Sequence, residues 1–353
     1  MKHRFGIRRE SQRLVKPDSL GNTEREVNKS TDCPPPLLLT STKKPRQKHS
    51  WRNTMFPIIT PDDSVSESHE QLGTKEKYWL RIDDQLHLFK IGRPGTGENW
   101  AEKIAAELAG LLGLPHAHYD LATWRGEKGV LTPSIQPKGG LLVLGNESLA
   151  AVYADYPKHK VRHVRDHTLG RIHALLIDRK IGFPDRQPPD DEIATAYDLF
   201  LGYLLLDAWI ANQDRHHENW GLIRDRERIY LAPTFDHAAS MGQNETDTTR
   251  QDRLSTKDRG RHISTYIKKA RSAIYENKTD KSPLPTSDLF RKAVAKSPEA
   301  ARIWLDRLQQ ISQNSCLGLF EQLSPETITP SAKQFALTLL ALNQERLLEH
   351  INP

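Results

Sequence analysis

Asn212-Gln-Asp-Arg-His-His-Glu-Asn219, followed by Trp220-Gly-Leu-Ile223, Arg224-Asp-Arg-Glu-Arg228, Ile229-Tyr-Leu-Ala232 and Thr234-Phe-Asp-His237, is the stretch that decides the fold. Two short apolar runs around a charged turn read as a β-hairpin. Centred near Arg226, that hairpin sets position 219 opposite position 233. Adjacent strands lie about 4.8 Å apart, so Asn219 and Asp236 open onto the same end. An amide oxygen and a carboxylate there can share a hard, oxygen-preferring cation such as Mg²⁺. Asp214, on the loop before the hairpin, can approach the same point without serving as a ligand, which leaves it free to accept a proton.

Upstream of this loop, Ala194 to Asn212 is apolar on nearly all sides (Leu199, Phe200, Leu204, Leu205, Leu206, Trp209, Ile210), although Gly202 and Asp207 interrupt the run. It reads as a helix buried at the centre of a helical lobe, residues 146–353. Further helices are expected over His167–Leu176, Leu289–Lys296, Ala300–Ser312 and Lys333–Ile351. Gln243–Lys281 is polar and reads as a long mobile loop carrying one helix near Ile263–Tyr275. Residues 55–145 read instead as a β-rich lobe. Tyr78–Ile82 and Leu86–Ile91 alternate around Asp83-Asp84-Gln85, and Asn99–Leu112 is an amphipathic helix stopped by Gly113 and Pro115. His118–Trp124, Gly129–Ile135 and Leu141–Leu144 supply more strands. The fold class expected is α+β, with two lobes.

Composition narrows the function. The 353 residues are 37% hydrophobic and 27% charged, with no uninterrupted apolar run long enough to span a bilayer and no secretory signal pattern. Cys33 and Cys316 are the two cysteines, which excludes a disulfide scaffold and suits a cytoplasmic, reducing setting. Residues 1–54 hold 13 of the basic and 5 of the acidic residues, so the +6 net charge belongs to this segment and the remainder carries −2. That segment reads as a disordered basic tail, or as sequence upstream of a start at Met55. A nucleic-acid-binding body is not indicated.

Asp214 precedes Asn219 by five positions and a strand pair then leads to Asp236, the order in which protein kinases place a catalytic Asp, a metal-binding Asn and a metal-binding Asp. On these residues the sequence resembles the HipA-like kinases, a bacterial family of toxin-type Ser/Thr kinases. Gly73-Thr-Lys-Glu-Lys77 looks like that family's phosphate loop, Leu88-Phe-Lys90 like its nucleotide lysine strand, and Trp100-Ala-Glu102 like the start of its paired-Glu helix. The resemblance covers roughly residues 70–240 and implies a bilobal protein-kinase-like fold using ATP and Mg²⁺. Asp214 would be the base, and Asn219 and Asp236 would bind the metal. Lys90 would contact phosphates and pair with Glu102, and Gly73, Thr74 and Lys77 would cradle phosphate. The acceptor implied is a Ser/Thr hydroxyl of a protein, and the resemblance allows for an antitoxin-type partner.

The sequence departs from the general kinase pattern. It has Asp-Arg-His in place of His-Arg-Asp, His237-Ala238 after Asp236, and no G-x-G-x-x-G. Asp-Arg-His-x-x-Asn also resembles the loop of phosphoinositide-type kinases, so a lipid or small-molecule acceptor, or a nucleotide-binding regulator without turnover, stands beside the protein kinase. A metal hydrolase built on His216, His217 and His237 is the remote alternative, because adjacent histidines point apart. Asn99 with Glu102 three positions on also fits a capping box, in which case Glu98 or Glu107 would pair with Lys90. Ser240–Thr256 occupies the place of an activation segment, where phosphorylation could order the loop through Arg250 and Arg253. Cys316 reads as a small buried apolar residue.

Overall fold

The computed structural model describes residues 54–349 apart from 66, 71–74 and 186. The basic segment before Thr54 and the phosphate-loop residues Gly73 and Thr74 lie outside the described residues.

The first lobe begins with β1 (Ile58–Ile59), β2 (Glu67–His69), β3 (Lys77–Ile82) and β4 (Gln85–Ile91). After α1 (Glu98–Leu112) come β5 (Asp120–Trp124) and β6 (Glu127–Pro133). They form one six-stranded sheet in the order β1-β5-β6-β4-β3-β2. Its two tight hairpins turn on Asp83-Asp84 and Arg125-Gly126, all four in the left-handed region that a two-residue turn of this hand requires. Gly129 is needed where β6 crosses β4, because a Cβ there would meet the Lys90 carbonyl and the Phe89 ring. Helix α1 ends in a left-handed Gly113, as expected. It starts earlier than the capping-box reading implies: Gly97 is the N-cap, and Asn99 and Glu102 lie inside the helix.

β7 (Leu141–Leu144) follows, then α2 (Gly145–Val152), α3 (Leu169–Leu176), β8 (Ile181–Gly182) and α4 (Ala196–Ile210). The hairpin is β9 (Gly221–Asp225) and β10 (Arg228–Leu231). β7 does not extend the first sheet. It pairs antiparallel with β9, in a second sheet ordered β7-β9-β10-β8. The hairpin register joins Asp225 to Arg228 and Leu222 to Leu231. Its centre is therefore half a residue beyond Arg226, and position 219 continues level with 234 rather than 233.

The remaining helices are α5 (Asp247–Ser255), α6 (Ile263–Lys269), α7 (Thr286–Val294), α8 (Pro298–Gln309), α9 (Gln313–Glu321) and α10 (Pro330–Leu348). All fifteen residues of α4 are buried, which explains its lack of a polar face. It packs against α3, α7, α8 and α10 and touches β10 and α1. Thr195 and Asp198 form a reciprocal capping box at its start. Gln243–Lys281 is not the loop with one helix that its polarity suggests. It holds α5 and α6, and Arg250 within it is buried. Among the described residues no helix is long and apolar enough to cross a membrane.

Candidate active site

Between the first sheet and the β9–β10 hairpin lies a cleft of about 450 Å³, within the size range of small-ligand sites. Lys75, Lys77, Lys90 and Tyr119 line one wall, and Asp214, His216, Asn219 and Asp236 the other. Leu88, Ala117, Ile135, Leu142 and Phe235 give it an apolar end.

The catalytic-type loop is shaped by the end of α4. Ala211 takes a left-handed conformation, and the chain turns back through Asn212, whose amide donates to Asp207 Oδ1 at 2.8 Å and accepts the Asp214 N–H at 3.2 Å. Arg215 then runs inward. Its guanidinium reaches both oxygens of Asp207 at 2.7 Å, the Asn219 carbonyl at 2.7 Å and Thr234 Oγ1 at 3.2 Å. One buried cation therefore ties together helix α4, the loop and the segment that carries Asp236. Sequence reading passed over Arg215, and in hindsight the unpaired acid in an otherwise apolar helix was its signal.

Asn219 donates its amide nitrogen to the Asp214 carbonyl at 2.7 Å, which fixes the rotamer and leaves Oδ1 without a hydrogen bond among the described residues. Asp214 has a side chain 55% exposed, with His216 Nε2 3.9 Å from Oδ2. Partial burial raises its pKa above the ordinary carboxylate value, and the Asp236 charge adds to this while His216 opposes it.

Asp236 sits at φ +60°, a conformation uncommon for a residue with a side chain and often stabilised at functional sites. Its Oδ1 is 3.1 Å from Lys90 Nζ, and Glu102 Oε2 is 3.7 Å from the same nitrogen. Tyr119, which no motif singles out, accepts from Lys90 Nζ and from the Asp236 N–H, each at 3.3 Å. Burial would raise the Asp236 carboxyl, but the charges of Lys90, Lys77 and Lys75 override it and hold it far below the usual range. Lys90 is pushed the other way. Burial alone would lower it, and the anionic surroundings, Asp236 first, hold it well above an ordinary lysine.

The three acids that compete for Lys90 in the sequence separate clearly. Glu98 pairs with Lys75 at 3.3 Å and Arg93 at 2.7 Å, and Glu107 with Lys103 at 2.8 Å. Glu102, 1% exposed, faces Lys90 and accepts the His237 N–H at 2.7 Å. Burial raises its pKa, with Lys90 opposing. Lys77 lies opposite Lys90 in the β3–β4 register. Burial lowers its pKa, with Asp236 opposing.

The residues present fit a magnesium ion bound together with phosphates. Asn219 Oδ1 and an ionised Asp236 carboxylate supply two hard oxygens, the usual protein share when phosphate and water complete the coordination. His217, His237 and His167 have structural duties. His217 is hydrogen-bonded to Tyr156 at 2.8 Å, and His237 to Thr234 at 2.7 Å. Trp220 Nε1 donates to His167 Nε2 at 3.0 Å, which puts the His167 proton on Nδ1, facing the Ala273 carbonyl. Among the described residues no three His, Cys, Asp or Glu side chains are grouped to hold a metal by themselves.

No protein-family model and no curated protein sequence matches the chain. Solved structures do. The proinflammatory kinase CtkA of Helicobacter pylori superposes with a TM-score of 0.64 at 17% identity, over 83% of this chain and 96% of that one. HipA of Shewanella oneidensis, in its complex with HipB and operator DNA, superposes with a TM-score of 0.52 at 14% identity. That match covers 84% of this chain and 67% of HipA. The chain has the HipA-like kinase fold. The two lobes, the cleft between them and the hairpin beside it follow from that fold.

Proposed function

We propose that the protein is an ATP-dependent kinase that transfers the γ-phosphoryl group of Mg-ATP to a Ser or Thr hydroxyl of a protein. The observation that carries this reading is the nest around Lys90. A buried ammonium held by Asp236, Glu102 and Tyr119 sits in the same cleft as an uncommitted Asp214 and the fixed amide of Asn219. Lys90 binds nucleotide phosphates, with Lys77 and Lys75 adding positive charge at the same end. Gly73 and Thr74 complete the phosphate loop of this proposal. Asn219 and Asp236 hold magnesium, which when bound offsets the charge of the phosphates. Asp214 orients the acceptor hydroxyl and receives its proton as the oxygen bonds to the γ-phosphorus and the bond to the ADP oxygen breaks. Its raised pKa makes it a better base than a fully solvated Asp. Arg215 holds the loop so that Asp214 and Asn219 stay in register.

The test is incubation of purified protein with a cell lysate, Mg²⁺ and γ-labelled ATP, followed by identification of the labelled species. Labelled Ser or Thr in protein, lost in Asp214→Asn and Asp236→Ala, is the expected result. Label in lipid or in a small molecule would move the acceptor class. ATP binding with no label anywhere would leave a nucleotide-binding regulator. An antitoxin-type partner would co-purify with the chain from its native cells.

A further inference from the structure

Lys158-His-Lys-Val-Arg-His-Val-Arg165 places six basic or imidazole side chains among eight residues, in a body whose net charge is slightly negative. Residues 158–163 and 165 are exposed, including Val161 at 44%. Their surroundings make this more than a solvated charge run. The nearby carboxylates Asp155 and Asp166 are already engaged by Arg171 and Lys278. Lys158, Lys160, Arg162 and Arg165 make no ion pair among the described residues.

The strip is also anchored to the catalytic-type loop. The Asn146 side chain donates to the Lys158 carbonyl at 3.0 Å while the Asn146 N–H donates to the His217 carbonyl at 2.9 Å. Tyr156, just before the strip, is bonded to the His217 ring. Val161 and Arg162 reach the mouth of the cleft beside Asp214, and the Arg162 charge is felt by the Asp214 carboxyl. Outside the cleft, a shallow hollow lined by Ala150, Ala154, Tyr156 and Pro157 continues under Lys158–Lys160.

We infer that residues 158–165 are a docking strip for the acceptor, and that the acceptor is a protein segment with Asp or Glu flanking its reactive hydroxyl. The inference rests on the kinase reading for the word acceptor. The strip's location and charge stand apart from it. Unpaired cations on a strip that reaches the cleft of the proposed base through Arg162 select acidic neighbours by complementarity, and they steer encounter more than they add raw affinity. Glu147 and Glu218 line the cleft together with Arg162, while Lys158, Lys160 and Arg165 add three further permanent cations along the strip. An acidic protein segment is favoured over RNA because the strip exposes no Phe, Tyr or Trp ring on which bases could stack.

The experiment measures binding and turnover separately. A Ser/Thr peptide flanked by Asp and Glu, its Asn/Gln counterpart and a Lys-flanked version are titrated by fluorescence anisotropy onto full-length protein with Mg-ADP, at low and high salt. The same peptides are then offered with labelled ATP. The acidic peptide should bind best, with salt-sensitive affinity. The triple variant K158Q/K160Q/R165Q should lose roughly tenfold of that affinity, since exposed pairs are individually weak and three act together. Nucleotide affinity should not change, and Arg162 is left in place because it lines the cleft. Acid-selective, strip-dependent binding without phosphotransfer would support the docking strip and overturn the kinase reading. Equal binding of the three peptides would overturn the strip, as would a preference that survives the triple variant. Tighter binding of single-stranded RNA through the same side chains would also overturn it.

Discussion

Arg215 and Asp207 form a two-point ion pair, Nε to Oδ2 and Nη2 to Oδ1, each at 2.7 Å, with side chains 0% and 2% exposed. Removing one partner of such a pair leaves a buried charge without compensation, which costs about 3–5 kcal/mol. Arg215→Ala is therefore expected to lower the urea midpoint substantially and to abolish phosphotransfer, even though Arg215 is not assigned to touch substrate. Near-wild-type stability in that variant would contradict the anchoring role.

Asp207 also illustrates how far the sequence is legible. Read alone, it is an interruption in an apolar helix. Its partner lies eight residues on and beyond a helix end, so no periodicity announces it. Local signals fared better. The Asp83-Asp84 turn, the Gly113 stop and the all-round apolarity of α4 are each written in neighbouring residues. Non-local choices were not legible. Leu141–Leu144 is plainly a strand, but nothing in four apolar residues says that its partner is β9. Helix α1 begins at Glu98, after an N-cap Gly97 whose N–H is given to the Gln243 carbonyl, a contact from a distant segment. In the site, Asp214, Asn219 and Asp236 stand out by order and spacing. Tyr119 does not, since a tyrosine beside a strand carries no pattern.

Lys90→Met should lose nucleotide binding and also destabilise the fold. Lys90 now compensates both Asp236 and Glu102. The depressed Asp236 pKa stabilises the fold above the unfolded carboxylate value and is lost as pH falls through the lower folded value. The raised Lys90 pKa stabilises it below the unfolded lysine value and is lost as pH rises through the higher folded one. The wild-type pair therefore contributes across neutral pH. Without Lys90 the buried Glu102 carboxyl and the half-buried Asp236 carboxyl are pushed towards their protonated forms, so the stability deficit should shrink between neutral and mildly acidic pH. Denaturant melts of both proteins at the two pH values check this, and a deficit independent of pH would count against it.

Arg250 accounts for order in the segment that the sequence marks as one phosphorylation could order. Its guanidinium donates to the Gly242 carbonyl at 3.0 Å, the Gln243 carbonyl at 3.1 Å and Asp247 Oδ1 at 2.8 Å. Arg253 is occupied by Glu245 at 3.1 Å and stacks over Tyr266. With both arginines engaged, the segment has no need of a phosphate to order it. Because Gln243 holds the start of α1, which carries Glu102, Arg250→Ala should lower turnover by roughly tenfold or more through displaced geometry. Phosphatase treatment of wild-type protein should leave turnover intact. Loss of activity on dephosphorylation, with recovery on incubation with ATP, would reverse this account.

Asp214→Asn separates catalysis from stability, because the two effects run in opposite directions. In its proposed role as the base, Asp214 must be ionised, so turnover should fall on the acid side through a pKa above that of a solvated Asp. Its replacement should reduce the rate by about 10²–10⁴-fold at neutral pH. For stability the sign reverses. A carboxyl whose folded pKa is raised contributes fully below the unfolded value and loses that contribution as pH rises through the folded one. Where it is ionised, Asp214 is then a small liability, one that exposure of its side chain keeps modest. Asp214→Asn should melt at or slightly above the wild-type temperature at neutral pH, and the difference should vanish in acid. ATP-dependent thermal stabilisation should persist in the variant. An inactive variant that is also clearly less stable at neutral pH would mean that the carboxylate holds the loop together, and the assignment of Asp214 as the base would lose its support.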